Sequence, residues 1–214
     1  MEDSLSRVAV SFFLGGLVSL VTIANPLSKI PVFLALAVDL DAVPATQEAR
    51  RACFYAAFLL TIGLFAGVFI LEAFGISFGA LRIAGGMTVA LIGYRMLFGI
   101  AEAVPPSGRS SFAFFPLAMP GIAGPGALAT VIGMSSEIAE LSGGMRRLLA
   151  YGATVAAIAV TCLLIWVTLR SARWVSRQLG SEGINVVARL TGFLLICIGV
   201  QFVGSGIRSF MAGA

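Results

Sequence analysis

At residues 22–31 the chain reads TIANPLSKIP, and at residues 116–127 it reads PLAMPGIAGPGA. Each stretch places prolines inside a long apolar run, where proline removes a backbone hydrogen bond and clashes with the preceding helical turn. In a lipid bilayer, backbone freed in this way persists only where protein buries it or where it faces a watery cavity. The two stretches therefore predict two broken helices whose interruptions lie inside the protein.

The composition indicates that lipid is the solvent for most of the chain. Of the 214 residues, 59% are apolar and 11% are charged, against roughly 25% charged in an ordinary soluble domain. The mean hydropathy is +1.02. A soluble protein of this size needs a polar shell that this chain does not supply, so cytosolic, secreted globular and nucleic-acid-binding classes are set aside. Membrane topology accounts for the net charge of +4.

Six segments reach or approach the roughly 20 apolar residues of a transmembrane helix. The first and the fourth carry the breaks, and a linker with Pro105, Pro106, Ser107, Gly108 and Arg109 follows the third. The pattern predicts an all-α, polytopic membrane protein that resides in the cell (inner) membrane. The segments cover residues 8–37, 52–71, 81–100, 112–134, 148–169 and 186–207.

The two halves of the chain present the same order of segments. Each half has a broken segment followed by two continuous ones, and the ungapped alignment of residues 82–100 with 189–207 pairs Arg82 with Arg189 and Gly85 with Gly192. Three helices are an odd number, so the second copy enters the bilayer from the opposite side. We expect two inverted three-helix repeats, residues 1–103 and 104–214, which form one membrane domain as in many secondary transporters.

Arginine positions predict the orientation, because basic residues favour the cytoplasmic side. With six spans, five arginines share a side with both termini and eight lie on the opposite side. Both termini are therefore expected outside the cytoplasm. The five are Arg7, Arg82, Arg146, Arg147 and Arg208; the eight are Arg50, Arg51, Arg95, Arg109, Arg170, Arg173, Arg177 and Arg189.

The breaks are the predicted substrate site. Asn25 can cap a new helix with Pro26 at its first position, and Gly124 can do the same with bare backbone that leaves space for a ligand. Exposed amides at such starts suit an anion, and carbonyls that end the preceding half-helices suit a cation. The alternative is a pair of purely structural proline kinks. The predicted lining comprises Thr22, Asn25, Pro26, Ser28, Gly121, Ala123, Gly124, Pro125, Gly126 and Thr130.

Charges inside the spans are scarce, which shapes the expected coupling. No Asp or Glu is expected centrally in a span, and Glu72 is placed at the end of the second, so a carboxylate proton carrier is not expected. A coupling ion, sodium or proton, would use carbonyls and the hydroxyls of Thr22, Ser28 and Thr130. Arg82 and Arg189 either anchor helix ends at the interface or line the pathway, and Lys29 either snorkels to the interface or faces the cavity.

The residue types do not favour an enzyme, a metal site or a cofactor site. Histidine is absent, so the usual base for a serine nucleophile and the common zinc sites are missing. Three cysteines without short spacing are expected to be packing residues. Glycines in continuous segments, including Gly15, Gly16, Gly85, Gly86 and Gly93, are expected to allow close helix approach, although Gly93→Ala is expected to be mild. The acidic start of the chain predicts no cleaved leader.

These motifs carry a family resemblance. Residues 25–31, 82–86 and 116–127 resemble the MarC family of six-helix membrane proteins, as do residues 189–192 with 200–202. The resemblance covers essentially the whole chain, and residues 123–127 are its most specific element. Ser28 departs from the glycine expected there. Some members, the SnatA-type proteins, transport glycine and other small neutral amino acids, and the resemblance implies that substrate class.

The sequence thus predicts a secondary transporter of small neutral solutes, glycine-like or alanine-like amino acids, that works by alternating access. Its expected partners are a neutral amino acid and membrane lipid, with no nucleic acid, and homo-oligomerisation stays open. A channel of the same architecture and a non-transporting membrane scaffold are the alternatives.

Overall fold

The computed structural model describes residues 2–37, 40–99 and 111–212, and the regular structure in these ranges is entirely helical. The linker at residues 105–109 and the repeat boundary at residues 103–104 lie outside these ranges. A 3-10 helix, Pro26–Ser28, follows α1, and a π-helical segment, Ala113–Ile122, precedes α5. The α-helices are α1 (Glu2–Ala24), α2 (Lys29–Leu36), α3 (Ala42–Ala73), α4 (Phe78–Leu97), α5 (Pro125–Glu140), α6 (Gly144–Arg170) and α7 (Ala172–Ala212).

The helices confirm a multi-pass membrane protein. Among the described residues, five helical stretches are long and apolar enough to cross a bilayer, and the π-helical segment with α5 forms a sixth that is bent by 60°. Along α3, the exposed residues Phe54, Phe58, Phe65 and Phe69 form one apolar face, the face that a surrounding bilayer would cover. The inverted-repeat arrangement stays a prediction.

Two helices extend well beyond their predicted ends. Helix α3 begins at Ala42 rather than at residue 52, because residues 42–51 are helix-forming but polar, so a search for apolar segments misses them. Helix α7 begins at Ala172 rather than at residue 186 and is interrupted at Gly180, whose φ is 65°. About two turns before this interruption, the guanidinium of Arg173 donates a hydrogen bond to the carbonyl of Leu40.

The first break has the predicted cap. Asn25 adopts a left-handed conformation with φ of 40°, and its side-chain oxygen accepts a hydrogen bond from the backbone N–H of Ser28 at 3.3 Å. Pro26 is the first residue of the 3-10 helix, as expected, and the Ser28 hydroxyl donates to the Asn25 carbonyl at 2.7 Å. The chain closes this turn with its own short side chains.

The second break is built from wide turns. Phe115 and Met119 are extended (φ/ψ −126°/128° and −127°/124°), because a residue that precedes proline disfavours the helical conformation. The backbone around them follows the π-helical pattern, in which an N–H bonds to the carbonyl five residues earlier, as from Leu117 to Phe112 at 3.3 Å and from Ala123 to Ala118 at 2.8 Å. Gly124 then caps α5 with Pro125 at its first position, as predicted.

Helices α4 and α7 cross where glycine faces glycine at three levels. The pairs are Gly79 with Gly206, Gly86 with Gly199, and Gly93 with Gly192, each level seven residues from the next. A Cβ on any of these glycines would lie 2.5–2.9 Å from the backbone oxygen of its partner. The reversed order of the numbers makes the two helices antiparallel, and main chain packs directly on main chain.

Not every expected packing glycine packs. A Cβ on Gly16 would lie 2.9 Å from Met134 and 3.3 Å from Ala157, so α1 approaches α5 and α6 closely there. Gly15 has no protein atom within 4 Å of such a Cβ. The prediction of close packing is therefore right for Gly16 and wrong for Gly15, which opens into the cavity described next.

Candidate functional site

A cavity of about 670 Å³ lies between α1, α4, α5 and α7. Its apolar wall includes Phe12, Ile23 and Met134, and its glycines are Gly15 and Gly133. Eight of its lining residues are polar or charged: Ser11, Ser19, Thr22, Arg82, Thr130, Glu137, Gln201 and Ser205.

Helical periodicity explains how these side chains converge. On α5 the lining positions 130, 133, 134 and 137 recur at intervals of three and four, and on α7 positions 198, 201, 202 and 205 do the same. Helix α1 contributes positions 11, 15, 18, 19 and 22. Three helix faces that each carry polar groups therefore look onto one space, which is unusual in segments whose other faces are apolar.

Arg82 is held in place by an aromatic ring. Its guanidinium lies 4.4 Å from the centroid of the Phe78 ring, a cation–π contact within α4. The Phe78 ring occupies the space that a side chain at position 133 would fill, because a Cβ on Gly133 would collide with it. The glycine on α5 thus admits the ring that positions the charge on α4.

Glu137 stands one helical turn after Gly133 on the same face of α5. Its side chain is exposed to the cavity. Within the described ranges, Arg82 and Glu137 form no salt bridge with each other, unlike Glu48 and Arg51, which pair at 3.1 Å. The cavity therefore presents a positive and a negative group on adjoining walls, both open to a ligand.

The cavity contains two of the ten predicted site residues. Thr22 and Thr130 line it, whereas the other eight, which form the breaks themselves, lie outside its lining. Ser28 and Ala123 are buried in the protein. A role of the break residues in binding stays a prediction: Asn25, Pro26, Ser28, Gly121, Ala123, Gly124, Pro125 and Gly126.

The glycines of the second break are packed rather than open. A Cβ on Gly124 would lie 2.6 Å from the Pro120 carbonyl oxygen, and one on Gly126 would lie 2.6 Å from Val89 and 3.1 Å from Ile23. The expectation that these glycines leave space for a ligand is therefore wrong. The chain's own atoms fill that space, since the break folds back on itself and α5 lies close to α4.

Sequence reasoning missed Glu137 and Gln201 and left Arg82 between two interpretations. The structure places Arg82 in the cavity, while Arg189 lies beside the end of α4, its guanidinium 3.9 Å from the Cβ position of Gly99. Glu137 was missed because the fourth segment was ended at residue 134, although α5 continues to Glu140. The spacing of seven between Thr130 and Glu137 was the available signal.

A second carboxylate, Glu48, is buried away from the cavity. It is 8% exposed and accepts hydrogen bonds from the Ser111 hydroxyl at 2.7 Å and from the Ala113 backbone N–H at 3.1 Å. It therefore caps the π-helical segment of the second half from a helix of the first half. Glu72, in contrast, sits in the last turn of α3, as predicted.

Within the described ranges, no group of three Cys, Asp or Glu residues lies close enough together to hold a metal ion. Cys53 and Cys162 are buried on α3 and α6, and Cys197 is exposed on α7. The oxygen-bearing side chains of the cavity are its serine and threonine hydroxyls, the Gln201 amide and the Glu137 carboxylate.

Comparison with known proteins supplies the family. The model of the "MarC family integral membrane protein" matches residues 10–211. Proteins named "UPF0056 inner membrane protein MarC" from Escherichia coli strain K12, Shigella flexneri and Shigella boydii serotype 4 are each 37% identical over 204 residues, which is 90% of this chain and 92% of theirs. No solved structure matches the chain. A match over nearly the whole length, on a helical chain with both predicted breaks, leaves one conclusion: this protein belongs to the MarC family of integral membrane proteins.

Proposed function

We propose that the protein is a secondary transporter of small neutral solutes, glycine-like or alanine-like amino acids, and that the cavity between α1, α4, α5 and α7 is its substrate site. The polar lining of this cavity is the observation that carries the proposal. Polar and ionisable groups within membrane segments are costly and mark substrate and ion pathways. A volume of about 670 Å³ admits a small amino acid together with water.

The packing of the helices supports alternating access. Helix α1, from the first broken segment, packs on α6, and the second broken segment packs on α3. Helices α4 and α7 pack on each other. Each contact made by an element of one half is therefore matched by a contact of the corresponding element of the other half. The glycine pairs follow the same rule, because Gly79, Gly86 and Gly93 face Gly206, Gly199 and Gly192. In this arrangement the residue of the second half that corresponds to Gly192 is Gly79 of the first half. The ungapped alignment of the sequence paired Gly192 with Gly85 instead. Two related halves around one site are the construction that alternating access uses.

Hydroxyls of the cavity suit a coupling ion, sodium or proton. Thr130 donates its proton to the Gly126 carbonyl at 3.0 Å, which leaves its oxygen lone pairs available to a cation. Glu137 adds a carboxylate to the cavity that the sequence-based argument against proton coupling did not include. We therefore infer that either ion could couple through this cavity, without a bound cofactor and without an enzymatic step.

Counterflow in proteoliposomes tests the proposal. Vesicles that contain the purified protein and unlabelled glycine should accumulate labelled glycine in a saturable manner. Thr130→Val should lower this uptake, whereas Thr168→Val is the matched control, because the exposed Thr168 hydroxyl makes the same kind of bond to its own helix at 2.8 Å. Flux without saturation or counterflow would indicate a channel, and no flux of any neutral amino acid would indicate a scaffold.

A further inference from the structure

We infer that Arg82 and Glu137 recognise the two charged ends of a zwitterion, with Arg82 binding the carboxylate and Glu137 binding the ammonium group. The inference rests on the proposed function and adds the residues that select the substrate. It moves recognition from the helix breaks, where the sequence predicts it, to the cavity wall.

The first step is the positioning of Arg82. Guanidinium N–H groups match a carboxylate as two parallel hydrogen bonds, and the Arg82 guanidinium lies over the Phe78 ring, 4.4 Å from its centroid. Because Phe78 is seated against Gly133 of α5, Arg82 is linked to the helix that carries Glu137. The positive group is thus placed relative to the negative one by direct packing.

The second step is the separation of the two charges. Arg82 and Glu137 line the same cavity, yet in the described part of the chain neither has a salt-bridge partner. Unpaired charges in a membrane segment are unfavourable, so a ligand that neutralises both is favoured over water. A molecule that carries both a carboxylate and an ammonium group meets this requirement.

The third step is discrimination. A monocarboxylate would leave Glu137 unpaired in the occupied cavity, and a simple amine would leave Arg82 unpaired. Because each half-substrate satisfies only one of the two charges, it gains less binding free energy than a zwitterion does, and the site favours the zwitterion over both. The neutral groups of Thr22 and Gln201 complete the lining without adding charge, which suits a substrate of zero net charge.

Ligand-induced thermal stabilisation of the purified protein tests the inference, because a ligand that binds the folded state raises the unfolding temperature with concentration. Glycine should stabilise the unmodified protein, whereas acetate and methylamine should not. Arg82→Gln and Glu137→Gln should each weaken glycine binding by about 10- to 100-fold. Control variants are Glu140→Gln, on the same helix but outside the cavity, and Arg208→Gln on α7; both should bind glycine normally.

A change in selectivity separates recognition from loss of folding. In Glu137→Gln, the affinity for acetate should rise relative to that for glycine, because acetate then leaves no carboxylate of the protein unpaired. In Arg82→Gln, the affinity for methylamine should rise relative to that for glycine. Arg82→Lys keeps the positive charge and should retain part of the glycine affinity. If one variant fails to fold, the selectivity of the other still decides.

The outcomes distinguish the inference from the proposed function. Normal glycine affinity and selectivity in both charge variants would overturn the inference and leave transport standing. Glycine binding that depends on both charges, in a protein without counterflow, would support the inference and overturn the transporter proposal. Absence of stabilisation by any zwitterionic amino acid would overturn both.

Discussion

The carboxylate of Glu48 accepts a hydrogen bond from the backbone N–H of Ala113 at 3.1 Å. The two residues belong to different halves of the chain, so this bond ties α3 to the start of the second broken segment. Ser111 donates to the same oxygen at 2.7 Å, and Arg51 pairs with the other oxygen at 3.1 Å. A buried carboxylate thus satisfies the backbone end that the irregular segment exposes.

Glu48→Ala should destabilise the protein by about 1–3 kcal/mol, because it leaves a buried N–H and a hydroxyl without their acceptor. The unfolding temperature in detergent measures the effect. Glu48→Gln retains one acceptor oxygen, so its unfolding temperature should lie between those of the unmodified protein and Glu48→Ala. Glu72→Ala, at the exposed end of α3, is the control and should change little. Equal effects at both positions would contradict a special role of Glu48.

Gly93→Ala should destabilise the α4–α7 crossing by about 1–3 kcal/mol, since the added methyl group meets the Gly192 backbone oxygen at 2.5 Å and forces the helices apart. The expectation of a mild effect, based on its position in a continuous helix, ignored this contact. Gly152→Ala in α6 adds the same methyl group where no atom lies within 4 Å, and it should be neutral or slightly stabilising. Thermal unfolding of the two variants side by side gives the comparison.

Asn25→Ala should cost about 1–2 kcal/mol, because alanine disfavours the left-handed backbone at φ 40° and loses the cap to Ser28. Asn25→Gly accepts the same backbone conformation and should recover part of the stability. If the first break is purely structural, uptake by the Asn25→Ala and Asn25→Gly proteins should fall in proportion to their loss of stability. Loss of uptake in a fully stable Asn25→Gly protein would instead indicate that the amide takes part in binding.

Gly124→Val should lower the amount of folded protein as well as its uptake. The new Cβ would lie 2.6 Å from the Pro120 carbonyl oxygen, so the break cannot close. Fluorescence-detected size-exclusion chromatography of detergent extracts measures the folded fraction. Gly144→Ala, at an open position near the start of α6, should leave that fraction unchanged. A well-folded Gly124→Val protein that loses only uptake would restore Gly124 as a ligand position.

The arginine distribution predicts that both termini lie outside the cytoplasm. A reporter that is active only in the cytoplasm, fused after the C-terminal residue, should therefore be silent, and a periplasmic reporter at the same place should be active. The opposite pair of results would reverse the orientation of every loop without altering the helices or the cavity.

Sequence patterns were sufficient for the breaks because their chemistry is local. Asn25 caps a turn three residues long, and proline at positions 116 and 120 forces the preceding residues to be extended. The cavity is different in kind. Arg82 and Glu137 line one cavity because α4 and α5 pack together, with Phe78 against Gly133, and no short-range pattern carries that information.

The start of α3 shows the complementary limit. Residues 42–51 contain Glu48 and two arginines among helix-forming residues, and hydropathy treats them as a loop. They are nevertheless helical, and Glu48 in this stretch accepts hydrogen bonds from Ser111 and Ala113. Polar helix inside a membrane protein is where a search for apolar segments fails.

The α4–α7 crossing also constrains how this chain can change over generations. In most helix pairs a larger residue on one side is tolerated when a smaller one appears opposite. Here both partners at each of the three levels are already glycine, and each lies against the backbone of the other helix, so no smaller residue is available to compensate for a larger one opposite. We expect the exposed phenylalanines of α3 to accept replacement by other apolar residues, whereas any side chain at one of the six glycines would force α4 and α7 apart.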